Sequence, residues 1–230
     1  MERTYDNIPE MYSELMLTIR MFGVREDTRN GAVLTLQEPL IVKVRNPRER
    51  ILNDEVRLAN PFFHVMEFVW MMAGSNDAEW IGNFNQQMLT YAEDDGHLHA
   101  AYGHRWMKAF GMNQISTIIR RLKADPRDRR CVLGMWSPQF DLDIEAKDIP
   151  CNTHIYFRVV KDRLNMLVCN RSNDVIWGMT GANAVHMTML QEVIARASGI
   201  ELGEYHVITN NAHVYCDLPN LDKMLNTPWI

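Results

Sequence analysis

The sequence predicts a single domain of mixed α and β structure. Apolar residues recur with a helical period in some stretches, such as Tyr5 to Phe22, and alternate as in a β-strand in others, such as Leu40 to Val44. No segment of the 230 residues resembles a flexible linker. We therefore expect residues 1–230 to fold as one domain with a full hydrophobic core.

Composition and charge narrow the possible functions. Charged residues make up 23% and hydrophobic residues 47% of the chain, which is ordinary for a soluble globular protein. The net charge of −5 argues against a protein that binds nucleic acid directly, because such proteins display a basic surface. A small phosphate-bearing substrate remains compatible, since it needs only a local cluster of arginines.

The four cysteines do not predict a zinc site or a disulfide framework. They stand at positions 131, 151, 169 and 216 without CxxC spacing, and Cys131 and Cys169 lie inside apolar runs. The N-terminal residues contain no apolar signal core, and no window approaches the apolar length of a membrane span. We expect a reduced, cytoplasmic protein without a bound metal and without membrane contact.

The first fifth of the chain is predicted as a helix, a loop and two strands. The helix extends from Tyr5 to Phe22 and ends at Gly23. The polar segment 25–31 is expected to be a loop, and strands follow at Ala32 to Leu36 and at Leu40 to Val44. The amphipathic helix is expected to cover one face of a sheet.

A second predicted helix contains a carboxylate in apolar surroundings. Asn60 and Pro61 are typical of an N-cap and of the first helical position. From Phe62 to Ala73 the residues are almost continuously apolar except for His64 and Glu67. A carboxylate in such a helix must be paired, hydrated or protonated. Glu67 is therefore either a structural group satisfied within the core or an acid with a raised pKa.

The middle of the chain is predicted as two helices followed by a strand. The helices extend from Ala78 to Leu89 and from Gln114 to Lys123, and the second stops at Asp125 because the residue before a proline avoids helical geometry. The charged residues 127–130 precede a buried strand from Cys131 to Trp136. Such a cluster is usually a solvated edge, but guanidinium groups also bind phosphate with paired hydrogen bonds.

A predicted hairpin brings a cysteine close to an arginine. Its strands, His154 to Val160 and Leu164 to Cys169, are joined by the polar turn 161–163. Because a hairpin brings its ends together, Cys151 and Arg171 are predicted to be neighbours. A nearby guanidinium favours a thiolate, so Cys151 is either an activated nucleophile or one of four ordinary buried cysteines.

The chain closes with a long helix and a last strand. The helix extends from Thr180 to Ser198 and ends at Gly199, and the strand extends from Glu201 to Thr209. At the end of this strand His213 and Tyr215 alternate onto one face, which is typical of a core edge as well as of a site.

Motifs along the chain resemble those of thymidylate synthases and the related deoxypyrimidine nucleotide hydroxymethylases. Pro150-Cys151 resembles the family's nucleophile motif, and Arg171-Ser172-Asn173-Asp174 with Gly178 resembles its nucleotide-binding run. Further motifs match in the family's order: Glu67 with Trp70 and Gly74, Tyr102-Gly103 with Trp106, Asp125-Pro126 with Arg129-Arg130, and His213-Val214-Tyr215. The segment from Asn60 to Asp77 is similar to phage-type members in particular.

The resemblance covers nearly the whole chain. It implies an α/β (α+β) fold, namely the three-layer thymidylate synthase-like fold around a mixed, bent β-sheet. It also implies a homodimer in which the sheet faces of two subunits meet, and a one-carbon transfer to C5 of a pyrimidine deoxynucleotide. The one-carbon donor would be 5,10-methylenetetrahydrofolate, and no metal would be needed.

The resemblance also implies residue roles. The implied catalytic residues are Cys151 as the nucleophile toward C6, Glu67 for proton movement near O4, Tyr102 for proton removal at C5, Asn183 for the base and Arg171 beside the thiol. The implied substrate-binding residues are Arg29, with Arg25 as the alternative, Asn170, Arg171, Ser172, Asn183, His213 and Tyr215, together with Arg129 and Arg130 donated across the dimer interface. Asp174, Gly178 and Trp70 are implied at the folate site.

Asn183 bears on the identity of the base. A first-turn asparagine is commonly a helix cap, but its amide can also satisfy both O4 and N3–H of uracil. The family's cytosine-type members carry aspartate at the matching position. Asn183 therefore favours dUMP, although one residue more than in the family pattern separates it from Gly178.

Several departures from the synthase pattern bear on the product. Methylation needs a hydride from the folate, whereas hydroxymethylation needs water at the same carbon. Met88 and Tyr91 occupy places where the synthases carry tryptophans that exclude water, and Asn170 replaces their usual glutamine. The sequence ends at Pro228-Trp229-Ile230, with little left for the long C-terminal region of the synthases. These departures favour a wetter site, and hence 5-hydroxymethyl-dUMP as the product.

Three alternatives accompany this prediction. The first is reductive methylation of dUMP to thymidylate, and the second is hydroxymethylation of dCMP or CMP. The third is a non-catalytic nucleotide-binding protein, which is disfavoured because binding alone requires none of Cys151, Glu67 and Tyr102.

Overall fold

A six-stranded mixed sheet forms the centre of the fold. The computed structural model describes residues 1–226, so the expectation drawn from Pro228, Trp229 and Ile230 lies outside the described residues. In spatial order the strands are β1 (Glu2–Tyr5), β4 (Leu40–Val44), β9 (Glu201–Thr209), β7 (Arg163–Asn170), β6 (Asn152–Val160) and β5 (Val132–Gly134). β1 is parallel to β4 and β7 to β9, and the other neighbours are antiparallel. The predicted mixed sheet is confirmed.

A second sheet has four strands and corrects two predictions. In spatial order they are β2 (Val24–Thr28), β3 (Gly31–Thr35), β10 (Ala212–Tyr215) and β8 (Asn173–Asp174). The segment 25–31, predicted as a loop, instead forms most of β2 and its turn into β3. Every side chain of β2 is exposed, so its backbone pairs with β3 without an apolar pattern that the sequence could reveal. The residues after β9 form a separate strand, β10, rather than the end of β9.

Helices account for most of the remaining structure. They are α1 (Ile8–Phe22), α2 (Pro61–Met72), α3 (Ala78–Gly82), α4 (Tyr102–Met107), α5 (Gln114–Ala124), α6 (Pro138–Asp141), α7 (Ala182–Ser198) and α8 (Leu221–Asn226), with a 3-10 helix at Gln86–Tyr91 and a π-helical turn at Val175–Met179. The predictions of α1, α2, α5 and α7 are confirmed to within a few residues. Within residues 1–226, no helix combines the length and apolarity needed to cross a bilayer.

One predicted helix, from Ala78 to Leu89, was wrong. The α-helical part ends at Gly82, and the rest forms the 3-10 helix. The chain folds back so that the Leu89 side chain packs on Gly82, where an added Cβ would lie only 2.6 Å from Leu89 Cδ2. This tertiary contact is not visible in the apolar periodicity.

The inner face of the six-stranded sheet is the main core. Val42, Val207, Val168, Ile155 and Leu133 are directly paired neighbours across five strands, and each is at most 1% exposed. Burying side chains of this size contributes about 1.5–3 kcal/mol each. α7 packs on this face, and α2 and α5 pack on α7. The sheet, α7 and the α2–α5 pair therefore form three layers.

The outer face of the same sheet is uncovered within the described chain. Ile41, Val132 and Tyr156 on this face are each 40–42% exposed. A sheet face with apolar side chains in solvent is typical of an interface.

Candidate active site

Cys151 and Arg171 lie at the open end of the β6–β7 hairpin. Val160 pairs with Arg163, so the turn has two residues, and Lys161 and Asp162 have φ angles of 50° and 60°. Two positive φ angles are typical of the type I′ turns whose twist matches a hairpin. This turn sets the register of the two strands, and with it the position of Cys151 relative to Arg171.

The predicted proximity of Cys151 and Arg171 is confirmed. The Arg171 backbone N–H donates to the Cys151 carbonyl oxygen at 3.0 Å, and Arg171 Nη2 lies 4.0 Å from Cys151 Sγ. The guanidinium is fixed by further bonds from Nε to the Pro150 carbonyl and from Nη2 to the Ile149 carbonyl, both 3.0 Å. The cation is thus held beside the thiol by backbone groups rather than by a competing carboxylate.

The electrostatics of Cys151 differ from the simple expectation. Burial raises the pKa of the Cys151 thiol, and the negative charges of Asp148 and Asp174 raise it further. Arg171 lowers the pKa, but burial has the larger effect. The net activation expected from Arg171 alone is therefore absent, because the hairpin end that brings the cation close also partly buries Cys151.

Glu67 lies on α2 with a side chain that is 12% exposed. Burial, and secondly the charge of Asp148, raise the pKa of Glu67 to about 8. Its nearest charged or polar partner is His186 on α7, whose Nε2 lies 3.3 Å from Glu67 Oε2 and 3.1 Å from the His64 carbonyl oxygen. Burial lowers the pKa of His186 to about 3, so this ring is neutral, and among residues 1–226 no cation is paired with Glu67. The raised-pKa interpretation of Glu67 is supported.

Tyr102 begins α4 and faces the same space. Backbone N–H groups of Cys151 and Asn152 hydrogen-bond its hydroxyl, while burial raises its pKa. A cavity of about 200 Å³, which we call the inner cavity, is lined by Glu67, Trp70, Tyr102, Asp148 and Asn183 among others. Tyr102 therefore lines the inner cavity while its hydroxyl is hydrogen-bonded to the backbone of Cys151.

Asn183 lies in the first turn of α7, but it is not the helix cap. Gly181 occupies the N-cap position, and the Asn183 side chain lines the inner cavity. A Cβ on Gly178 would clash with the Asn173 side chain and lie 3.1 Å from Asn183 Nδ2. Gly178 thus allows the two amides to approach the backbone closely, which is a packing reason for glycine at this place.

Ser172 and His213 lie together where β7 leaves the large sheet. Ser172 Oγ is 3.3 Å from Asn211 Oδ1 and 3.5 Å from His213 Nδ1. The His213 and Tyr215 rings meet edge to face with centroids 5.3 Å apart. Three of the predicted substrate-binding residues, Ser172, His213 and Tyr215, are therefore adjacent to one another.

Asn170 is bound within the fold. It is 5% exposed, it hydrogen-bonds the Asn152 amide, and its Nδ2 lies 3.4 Å from Thr209 Oγ1. These bonds hold the ends of β6, β7 and β9 together. A direct contact of Asn170 with the substrate stays a prediction.

The remaining predicted phosphate arginines are not part of this cluster. Arg29 is exposed at the β2–β3 turn, and Arg129 and Arg130 are exposed before β5. Arg130 is paired with both oxygens of Asp128 at 3.0 Å. In the described part of one chain, none of the three lines the inner cavity.

A larger cavity of about 870 Å³, the outer cavity, adjoins the inner one. The two cavities share Glu67, Met88 and Tyr91, and the outer one is also lined by Asp174 and Trp177. Asp174 accepts from the Trp177 backbone N–H through Oδ1, and the backbone N–H groups of Ile176 and Tyr215 also stabilise its carboxylate. Its buried Oδ2 has no partner within hydrogen-bond distance among the described residues. Burial raises the pKa of Asp174 to about 6. A carboxylate at the wall of a cavity of this size can accept a hydrogen bond from a ligand that offers N–H donors.

Trp70 has a structural bond in addition to its place at the cavity. Its Nε1 donates to the Asp77 carbonyl oxygen at 2.9 Å, which ties α2 to the start of α3. Only its ring is therefore available to a ligand.

Three residues at these cavities were not identified from the sequence. Asp148 lines the inner cavity, His186 contacts Glu67, and Arg57 places its guanidinium over the Trp177 ring, 5.3 Å from the centroid, while donating to the Ile176 carbonyl. For Asp148 a signal existed, since it lies only three residues before Cys151. Among the described residues, no group of three or more His, Cys, Asp or Glu side chains is placed to hold a metal ion.

Comparison with known proteins agrees with the architecture. The family model described as thymidylate synthase matches residues 10–227. The deoxyuridylate hydroxymethyltransferase of Pseudomonas phage M6 is 43% identical over 215 residues, covering 93% of this chain and 61% of the relative. Proteins of the same name from Bacillus phage SP01 and Delftia phage PhiW-14 are 31% and 33% identical, over 90% and 84% of this chain and 57% and 56% of theirs.

The chain thus spans about three fifths of the length of these curated relatives. The matched range nevertheless includes all the residues that line the two cavities, from Arg57 to Pro219. By this match and by its fold, the chain belongs to the thymidylate synthase family.

Proposed function

We propose that the chain transfers a hydroxymethyl group to C5 of dUMP, with 5,10-methylenetetrahydrofolate as the one-carbon donor. The observation that carries the proposal is the inner cavity, which is lined by Glu67, Tyr102 and Asn183 and in which the Tyr102 hydroxyl is hydrogen-bonded by the Cys151 backbone. Binding alone would require none of the ionisable groups of Cys151, Glu67 and Tyr102. The names of the phage relatives support the same reaction.

Cys151 supplies the nucleophile. C5 of uracil is a poor nucleophile, and addition of the thiolate to C6 makes it enolate-like so that it can attack the one-carbon unit. Since burial raises the pKa of the thiol, the Arg171 guanidinium at 4.0 Å is needed to stabilise the reacting thiolate.

Glu67 and Tyr102 move the protons. With a pKa of about 8, Glu67 is protonated at neutral pH and can donate toward O4 as charge develops there. The Tyr102 hydroxyl, held by the backbone at Cys151 and Asn152, is placed to assist removal of the C5 proton. Asn183 offers both a donor and an acceptor to the ring, which fits uracil.

The wall between the two cavities bears on the product. Met88 and Tyr91 line both cavities, and Tyr91 is 41% exposed. Neither side chain seals the inner cavity as a buried tryptophan pair would. Water can therefore reach the one-carbon unit, which favours hydroxymethylation over hydride transfer.

The co-substrate would occupy the outer cavity. Asp174, with its unpartnered Oδ2, would accept a hydrogen bond from the pterin, and the Trp70 ring and the close approach at Gly178 would shape the neighbouring wall. Nothing in this arrangement requires a metal ion.

The phosphate would be held by Arg29, Arg171 and Ser172 together with Arg129 and Arg130 of a second subunit. Arg129 and Arg130 are exposed and lie just before β5, which borders the uncovered outer face of the sheet. A homodimer formed through that face would bury Ile41, Val132 and Tyr156 and carry the arginines to the partner. Four free cysteines fit a reducing cytoplasm, which for a phage protein is that of the host.

Mass spectrometry of the products tests the proposal. The protein is incubated with methylenetetrahydrofolate and, in parallel, with dUMP, dCMP or CMP. We expect dUMP to gain CH₂O while tetrahydrofolate is released. A methyl product with dihydrofolate would establish the thymidylate synthase alternative, and a product only from a cytosine nucleotide would overturn the role given to Asn183.

A further inference from the structure

Asp148 is a carboxylate of the inner cavity that no motif assigns. It lies three residues before Cys151 and lines the cavity together with Glu67, Tyr102 and Asn183. The Ala100 backbone N–H hydrogen-bonds its carboxylate and so fixes its direction. Other acidic residues of the same segment, Asp143 and Glu145, are exposed.

The charge of Asp148 affects three of the proposed catalytic groups. It raises the pKa values of Glu67, Tyr102 and Cys151. Two carboxyl groups that share one low-dielectric space resist simultaneous ionisation, and one of them retains a proton. Since the pKa of Glu67 is about 8, Glu67 retains it, and Asp148 is the ionised partner.

The ionised partner is suited to accept a proton. Burial raises the pKa of Asp148 above its usual value, although the Ala100 N–H and the charges of His99 and Arg105 act in the opposite direction. A carboxylate with a raised pKa is a better base than a solvated one. Glu67 cannot fill this role in the same step, because it holds its proton for O4.

We propose that Asp148 binds and deprotonates the water that makes the product a hydroxymethyl group. This rests on the proposed function. After tetrahydrofolate has left, uracil carries an exocyclic methylene at C5 and the Cys151 sulfur at C6. The water oxygen bonds to the methylene carbon, its proton passes to Asp148, and the electron pair of the methylene double bond moves to C5 and O4. Collapse of this enolate breaks the C6–S bond, restores the C5–C6 double bond and releases the thiolate.

The test separates water addition from the earlier steps. Asp148→Asn is compared with the wild type and with Asp143→Asn, an exposed acid of the same segment. Release of tritium from C5-labelled dUMP reports Cys151 addition and loss of the C5 proton. Product analysis with and without 2-mercaptoethanol reports the fate of the methylene, since an added thiol competes with water for it.

In Asp148→Asn we expect less methylene to react with water, without a general loss of the earlier steps. In Asp148→Asn, tritium release should stay within about threefold of the wild type, whereas hydroxymethyl product should fall about 100-fold, the contribution typical of a general base. A thiol adduct should appear in the variant and not in Asp143→Asn. In Asp148→Ala, added formate should restore hydroxymethyl product, because it supplies the missing carboxylate.

The results that would contradict the role of Asp148 can be told apart from those that would contradict the proposed function. Unchanged hydroxymethyl product without a thiol adduct in Asp148→Asn would overturn the role of Asp148 and leave the proposed function intact. Loss of tritium release in both Asp148 variants would also overturn it, because the side chain would then act before water addition. Thymidylate from the wild type would instead overturn the proposed function itself.

Discussion

The residues of the inner cavity are brought together within one chain, whereas the exposed arginines Arg129 and Arg130 lie apart from it. Glu67, Tyr102 and Asn183 come from three separate helices and already face one another within a single chain. Arg129 and Arg130, in contrast, project into solvent, and Arg130 is paired locally with Asp128. The residues proposed to move protons and to bind the base are thus brought together within one chain, whereas the proposed phosphate contacts of Arg129 and Arg130 require a second subunit.

The largest expected effect tests the proposed catalytic groups at the inner cavity. Cys151→Ala removes the proposed nucleophile toward C6, so turnover should fall on the order of 10⁴-fold or more, as for other catalytic nucleophiles. Binding of dUMP, measured by equilibrium dialysis, should remain. Cys169→Ala is the control, because Cys169 lies on the neighbouring strand β7 of the same hairpin, and this variant should retain activity. A Cys151→Ala protein with wild-type turnover would rule out covalent catalysis.

Glu67 offers a second test of the inner cavity through pH. Because its acid form is the active one, turnover should decline as pH rises through about 8. Glu67→Gln should lower turnover about 100-fold and abolish this limb of the pH profile. If the decline in turnover near pH 8 persisted in Glu67→Gln, it would have to be assigned to another group.

The same pKa shift has a consequence for stability. The folded-state pKa of Glu67 lies above its unfolded value, so between about pH 4.5 and 8 the folded state binds the extra proton and stability is lost as pH rises. From pH 6 to pH 9 the wild type should therefore lose more free energy of unfolding than Glu67→Gln, by an amount on the order of a few kcal/mol. Urea unfolding at the two pH values measures the difference, and equal losses would contradict the raised pKa.

Mixing of variant subunits tests whether the exposed arginines serve the active site of a partner. The double variant Arg129→Ala, Arg130→Ala should raise the KM for dUMP about 100-fold, because several charge-assisted hydrogen bonds are lost. If these arginines act across the interface, mixing this variant with Cys151→Ala should restore about a quarter of wild-type activity, since half the dimers are mixed and each has one intact site.

Arg171→Ala is the matched control for the mixing experiment. Arg171 and Cys151 belong to the same hairpin of one chain, so a mixture of Arg171→Ala and Cys151→Ala subunits contains no intact site. Restoration in both mixtures would show that the sites are not divided between subunits as proposed.

The smallest expected effect concerns the turn that aligns the hairpin. Lys161 and Asp162 both adopt positive φ angles that non-glycine residues rarely favour. Replacing them together by Asn and Gly should raise the free energy of unfolding by about 0.5–1 kcal/mol without changing turnover. A loss of turnover would show that these side chains do more than set the register.

Local patterns account for much of what could be predicted. The hairpin, with Cys151 near Arg171, was predictable because two alternating strands around a polar turn have one sensible pairing. The strand β2 was not, because it pairs through its backbone and carries no apolar face. The break after Gly82 was missed for a similar reason, since it depends on the packing of Leu89.

The sequence by itself determined the main helices, the central hairpin and, through its motifs, the family, and it predicted Cys151 as the nucleophile. These depend on periodicity, turn chemistry and residue order, all of which are properties of neighbouring residues. Only the tertiary structure decided that Asp148 and Glu67 share one cavity, that His186 stands against Glu67, and that burial outweighs Arg171 in setting the pKa of Cys151. The physical reason is that burial and electrostatic coupling depend on groups distant in the chain, whose positions are set only when the layers pack together.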